Sequence, residues 1–216
     1  MMNSQDLPRN QSKIRNILLD LGAVFFAIDH SRAAKHLLSL RSIQAKSIQN
    51  ELDTLFTHPL FHDYETGRIN SAAFRNQIRL EFEIRANDDD LDRAWNTMLT
   101  GLIPGSEALV RKLSPRFKLF LLSNSNPIHF HALRDECRDF FQSFDKLFFS
   151  FELGCRKPDP EFFEKACSLG GFHPAETLFV DDNAENVNAA AQLGFFTILH
   201  PPNQLPSYLQ ELIPSD

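Results

Sequence analysis

Short, mostly apolar runs punctuate this chain, and between them the apolar residues return at helical spacing. Four runs stand out, Ile17 to Leu19, Leu119 to Leu122, Leu147 to Phe149 and Thr177 to Val180, within strands expected at Lys13 to Asp20, Lys118 to Leu122, Lys146 to Ser150 and Thr177 to Val180, with a further strand at Phe196 to His200. Each has too few residues for a helix and is too continuously apolar for a strand with one wet face, which predicts strands buried on both sides. Helical spacing fills the intervals at Ser106 to Leu113, Ile128 to Phe140, Pro160 to Leu169 and Ala184 to Leu193. Strands alternating with helices imply right-handed βαβ units, so the expected fold is α/β, a doubly wound parallel sheet in three layers, Rossmann-like.

The pattern changes between the first strand and the second. From about residue 29 to 101 no strand-like run appears, and helices are expected at Ser31 to Leu40, Ser42 to Phe56, Ser71 to Arg85 and Asp88 to Leu99. Ser31, Ser42, Ser71 and Asp88 are the expected helix starts, and Tyr64-Glu65-Thr66-Gly67 reads as a turn. The predicted organisation is a core formed by residues 1–27 and 104–216, interrupted by a four-helix cap over 28–103. Residues 1–13 read as a loose polar leader, and the tail from Pro201 as loop with one short helix.

Composition narrows the classes. The chain has 216 residues, 43% of them apolar, enough for one core and a small second module. A net charge of -6 with scattered basic residues provides no footprint for nucleic acid. No stretch approaches the roughly 20 apolar residues of a membrane span, and the N-terminus lacks the apolar centre of a signal peptide. Cys137, Cys155 and Cys167 are odd in number and form no CxxC pair, so reduced thiols and a cytoplasmic setting are expected. A phenylalanine-rich core accounts for most of the 21 Phe residues.

The candidate chemistry sits at strand ends. Asp20, Ser123, Lys157 and the pair Asp181-Asp182 each fall at or just beyond an apolar run, and the carboxyl ends of parallel strands open on the crevice where such sheets bind ligands. Each has an ordinary explanation taken singly: a turn Asp, loop serine and asparagine at Ser123-Asn124, a solvated lysine, a doubled helix cap. Their joint occurrence on four strand ends of one sheet argues for a site. Gly22 permits a sharp departure of the chain after the first strand. His129 and His131 are expected on the surface at the start of a helix, and Asp88-Asp89-Asp90 as a solvated first turn.

These residues resemble the haloacid dehalogenase-like hydrolase superfamily, helical-cap subgroup, over nearly the whole chain. ILLDLGAVFF is similar to its first motif, LFLLSNSN to its second, GCRKPDPEFF to its third and TLFVDDNAENVNAAAQLG to its fourth. YETGRINSAAF, SNSN, SFELGCRKP and FVDDNAENV are most similar to the bacterial α-D-glucose-1-phosphate phosphatase branch. The resemblance implies a magnesium-dependent phosphatase for a small phosphate ester, such as a sugar phosphate, working through an aspartyl-phosphate on Asp20. It further implies that Ser123, Asn124 and Lys157 hold the phosphate, and that Mg2+ is bound by Asp20, the Gly22 backbone carbonyl and Asp182, with Asp181 contacting it through water or directing Lys157.

One departure matters. Gly22 stands where most phosphatases of the superfamily carry a second Asp as general acid and base. Its absence favours leaving groups that need little protonation, such as an anomeric oxygen, and keeps two alternatives in view: a catalytically weak sugar-phosphate-binding module and a haloacid dehalogenase. Closure of the cap is expected to bring Phe26 to His30 and Phe61 to Tyr64 around the substrate.

Overall fold

The strand pattern of the sequence is realised as a parallel five-stranded sheet in a computed structural model, which describes residues 11–41 and 58–213. The helix expected over Ser42 to Phe56 and most of the leader lie outside the described residues. In chain order the strands are β1 (Asn16–Leu19), β2 (Phe26–Ile28), β3 (Leu99–Leu102), β4 (Lys118–Ser123), β5 (Lys146–Phe149), β6 (Thr177–Asp181) and β7 (Phe196–Leu199). The large sheet has the order β5-β4-β1-β6-β7 with every pair parallel. The chain leaves β1 first toward one edge and later toward the other, so β1 lies at the topological switch point.

Side chains alternate across this sheet. Ile17, Leu19, Leu119 and Leu121 enter one hydrophobic cluster with Leu109, Val110 and Leu113 of α5 (Ser106–Leu113). Leu18, Phe120 and Leu122 enter another with Phe162, Phe163 and Ala166 of α9 (Pro160–Gly170). The two clusters make the three layers, and each fully buried Leu or Phe is worth roughly 1.5–3 kcal/mol. Register then sets the level of the site: Leu19 pairs with Leu121 on one side and Val180 on the other, so the residues after them emerge side by side.

The insert contributes α1 (His30–Ser39), α2 (Pro59–Glu65), α3 (Ser71–Glu81) and α4 (Asp88–Asn96). Their apolar faces converge on Leu37, Phe61, Phe74, Ile78, Leu91 and Trp95, with the Phe61 and Trp95 rings stacked at 5.1 Å and Tyr64 on Phe74 at 3.9 Å. Helices α3 and α4 begin at Ser71 and Asp88 as expected, and α1 at His30, one residue before Ser31. Asp29, Asn70 and Asn87 are the caps, each accepting a backbone N–H from the first turn, because a short side-chain acceptor just outside the helix reaches donors that one inside it cannot. Helix α2 also replaces the first half of the expected turn: Pro59 presets its first φ, and the chain turns only at Thr66 and Gly67. Gly67 has φ 67°, and a Cβ there would stand 2.4 Å from the Phe151 carbonyl oxygen. Only glycine lets this turn seat against α8 (Ser150–Leu153), which begins where β5 was expected to end.

Strands β2 and β3 pair antiparallel where the insert leaves and re-enters the core, with Phe26 opposite Leu102. The sequence read the second of them as a helix end and loop. The remaining helices are α6 (Pro127–Glu136), α7 (Arg138–Phe141) and α10 (Ala184–Gln192), the first two dividing one expected helix. Among the described residues, the tail carries a 3-10 helix, Ser207–Leu212. Cys137, Cys155 and Cys167 are free thiols, and no helix among the described residues is long and apolar enough to cross a membrane.

Candidate active site

Asp20 follows β1 directly and stays tied to the sheet, its N–H donating to the Val180 carbonyl at 3.0 Å. The backbone then turns sharply, but the left-handed residue is Ala23 (φ 57°) and Gly22 is outside that region. The expectation that Gly22 supplies the turn is therefore corrected: the Ala23 N–H donates to Phe26 O at 2.8 Å, and that short closure sets the conformation. A Cβ on Gly22 would meet only Ile28 Cγ1, at an ordinary 3.6 Å.

Lys157 reaches Asp20 across 137 residues of chain. Its Nζ donates to Asp20 Oδ1 at 2.6 Å and to Asp181 Oδ2 at 2.7 Å, with the lysine 2% exposed and Asp181 fully buried. Asn124 holds the lysine's backbone at both ends: its Oδ1 accepts from Lys157 N and its Nδ2 donates to Lys157 O, each at 2.9 Å. Both side-chain polar atoms of Asn124 are thereby engaged with the loop. Ser150 Oγ bridges Ser125 N and O in the same manner, at 3.0 and 3.1 Å. The loops after β4 and β5 are thus locked together, and Ser123, buried at the end of β4, lines the pocket beside them.

Asp181 has no oxygen to spare. Oδ1 accepts from Asn183 N and Asn186 Nδ2, and Oδ2 from Lys157 and Asn186 Nδ2. Asp182 is half-buried at the pocket wall. Carboxylate oxygens of Asp20, Asp181 and Asp182 lie within 4.8 Å of one another. Burial pushes the Asp20 carboxyl up to about 7; Lys157 opposes this, and Asp181 and Asp182 add to it. Burial alone would lower the Lys157 ammonium, but Asp181 and Asp20 outweigh it and hold it above its ordinary range. Three carboxylates face one ammonium, an excess that a divalent cation would cancel, and an all-oxygen donor set suits a hard cation such as magnesium. The Gly22 residue lines the same space.

The insert roofs this floor, leaving a cavity of about 330 Å³. Phe26, Ile28, His30 and Phe61 line it, whereas Tyr64 turns away and accepts the Ile128 N–H on its hydroxyl. The sequence reading missed Trp95, Met98 and the pair Glu65 and Arg156, which meet at 2.8 Å on the wall. It also missed Asn186, whose place one turn past the Asn183 cap was the available signal.

His129 is a correction. It is 7% exposed rather than on the surface, because α4 lies over it: Nδ1 is 2.8 Å from Asn96 Oδ1 and the ring stacks on Trp95 at 5.0 Å. Its Nε2 is buried without a hydrogen-bond partner, a state that costs about 1–3 kcal/mol. His131 is exposed as expected.

Known proteins share this architecture. The haloacid dehalogenase-like hydrolase family matches residues 16–194. A D-ribitol-5-phosphate phosphatase of Bacteroides thetaiotaomicron is 28% identical over 207 residues, covering 92% of this chain and 97% of that protein. A haloacid dehalogenase family enzyme from the same organism, solved with magnesium and inorganic phosphate, superposes with a TM-score of 0.80 at 29% identity, covering 91% of this chain and 98% of its own. A haloacid dehalogenase-like hydrolase structure from Porphyromonas gingivalis gives 0.82 at 26% identity, over 94% and 100%. With the family matched across most of the sequence and the fold shared end to end, the chain belongs to the haloacid dehalogenase-like hydrolases.

Proposed function

We propose that this haloacid dehalogenase-like phosphatase hydrolyses the phosphate ester of a small sugar or sugar alcohol with the help of magnesium, using Asp20 as nucleophile. The observation that carries the reading is the Asp20 carboxylate, held 2.6 Å from Lys157 within the acid cluster at the floor of a roofed cavity. Residues 1–27 and 104–216 act as the catalytic core, and 28–103 as the cap that covers the substrate.

In this reading Asp20, the Gly22 carbonyl and Asp182 hold the ion. Asp181, saturated with hydrogen bonds, holds Lys157 in place. When bound, magnesium neutralises the acids and polarises a phosphoryl oxygen. Ser123 and Lys157 bind the phosphoryl oxygens, and Asn124 fixes the lysine's loop. Asp20 attacks phosphorus in line, the bond to the leaving oxygen breaks and that oxygen takes its proton from water, and a water molecule then cleaves the acyl phosphate, releasing inorganic phosphate and the free carboxylate. The motif likeness pointed to glucose 1-phosphate, while the relative matched nearly end to end is named for ribitol 5-phosphate. Both are small polyhydroxylated phosphates, and that shared class is the one proposed.

A panel of sugar and sugar-alcohol phosphates, assayed with magnesium and after chelation, tests the proposal. Phosphate release should vanish with chelation and return with magnesium. Undiminished release without divalent metal would overturn the mechanism, halide release under chelation would favour a dehalogenase, and ligand-induced thermal stabilisation without turnover would favour a silent binding module.

The space around Gly22 yields a second test. Gly22→Asp has room for its Cβ, which enters ordinary contact distance of Ile28, and with magnesium present to offset the added carboxylate it should fold. It should speed hydrolysis of alkyl phosphates, whose leaving oxygen needs a proton, by up to about 10²-fold. An unchanged rate in a folded variant would show that proton transfer does not limit turnover.

A further inference from the structure

We infer that Glu65 and Arg156 form a hydroxyl-reading subsite in the wall of the active-site cavity, the carboxylate accepting from one hydroxyl of the leaving group and the guanidinium donating to its neighbour. Polyol phosphates are thereby selected over esters of bare hydrocarbon chains. This rests on the phosphatase reading and adds the residues that set its substrate class.

Two locked segments bring the pair together. Glu65 ends α2 of the insert, and the turn after it is fixed by the Thr66 hydroxyl, which donates to His62 O at 2.8 Å, and by Gly67, seated against the Phe151 carbonyl. Arg156 precedes Lys157, whose backbone Asn124 clamps on both sides. Both side chains line the cavity that holds Asp20 and Lys157, and neither is sealed off: Glu65 is 24% exposed and Arg156 30%.

The pairing leaves capacity on both groups. Arg156 Nη1 lies 2.8 Å from Glu65 Oε2, an ion pair without hydrogen-bond alignment, and Nε donates a long 3.4 Å bond to Lys157 O. Among the described residues, Glu65 Oε1 and Arg156 Nη2 bond to no protein group, and neither atom is buried. Burial raises the Glu65 carboxyl, while Arg156 and then Lys157 pull it back, so the carboxylate lies within electrostatic reach of the ammonium that touches Asp20.

A fixed acceptor beside a fixed donor matches two neighbouring hydroxyls, each able to give one hydrogen bond and take another. It is mismatched with methylenes, which strip water from both charged groups and return nothing, and with a second phosphate or carboxylate, which the Glu65 charge repels. Sites built to bond a hydroxyl reject analogues that lack it far more strongly than apolar pockets reject a missing methylene. The pair thus reads the leaving group while the strand-end residues handle phosphorus.

The test compares kcat/KM for ribitol 5-phosphate and for n-pentyl phosphate, which has the same chain length without hydroxyls, on wild type, Glu65→Met, Arg156→Met and Glu65→Gln. The wild type should prefer the polyol ester by about 10²-fold or more. Each methionine variant keeps bulk but loses its hydrogen-bonding group, and should lose about 10-fold or more of that preference. Glu65→Gln, which keeps a neutral and therefore weaker acceptor, should fall in between. An ion pair that merely tied the insert to the core would cost both esters alike, so equal losses on the two, or none on either, would overturn the assignment. If the methionine variants do not fold, the near-isosteric Glu65→Gln decides, and an unchanged ratio refutes it. A wild type that hydrolyses neither ester overturns the phosphatase reading and this inference with it, whereas hydrolysis of both at similar rates overturns this inference alone.

Discussion

Asp20→Asn should reduce turnover by roughly 10⁴-fold or more, the scale seen when a nucleophile is removed, and yet leave the metal-free protein more stable above pH 7. The first effect follows because an amide cannot form the acyl phosphate. The second follows from linkage. The Asp20 carboxyl titrates near 7 when folded against an ordinary value of 3.8, chiefly through burial. Between those values the native state holds a proton that the unfolded chain has released, so this group lowers stability as pH rises from about 4 to about 7. Asparagine carries no such penalty, and Lys157 keeps its bond to Asp181. Thermal melts at pH 5 and pH 8 should show the variant gaining on wild type by about 3 °C or more at the higher pH. A variant that melts lower at pH 8, or one that retains turnover, would contradict the reading of Asp20.

Lys157→Met should be the most damaging single change to the fold of the site. It leaves two buried carboxylates, Asp20 and Asp181, without the cation that lies 2.6 and 2.7 Å from them. Removing one member of a buried ion pair typically costs about 3–5 kcal/mol, because the partner charge remains desolvated and unpaired. Denaturant unfolding without metal should show that loss, and magnesium should restore part of it by supplying positive charge to the same acids. Turnover should fall by roughly 10²–10³-fold even where the variant is folded, the scale for losing one charged stabiliser of the transition state. Stability within about 1 kcal/mol of wild type would mean that the acids are protonated in the resting protein and that the lysine is not their counter-ion.

The parts of the fold that could be read from residues were those whose signal is local. Leu119-Phe120-Leu121-Leu122 and Thr177-Leu178-Phe179-Val180 are apolar on both faces because both faces are covered, so the run itself announces a buried strand. The strand-end positions of Asp20, Ser123 and Asp181 followed at once. Strands β2 and β3 escaped notice because three or four residues are too few for a period, and their pairing joins Phe26 to Leu102 through the intervening insert. Helix α2 escaped because His58, Pro59, His62 and Asp63 look like loop until Pro59 is seen at its first position.

His129 shows the limit most sharply. Nothing in SNSNPIHFH distinguishes it from an exposed helical histidine, since its burial is imposed by Trp95 and Asn96 folding over it from an element 33 residues away. Glu65 and Arg156 are the same case at longer range.

The order of apolar runs along the chain was enough to establish a parallel α/β sheet with reactive groups at its carboxyl ends, because strand periodicity and the strand-to-loop boundary are properties of neighbouring residues. Which oxygens converge, which lysine holds them and what the roof of the cavity presents to a substrate depended on the packing of the insert against the sheet. Those contacts join residues remote in sequence, and their strength comes from burial and dielectric, which arise only once the elements have come together.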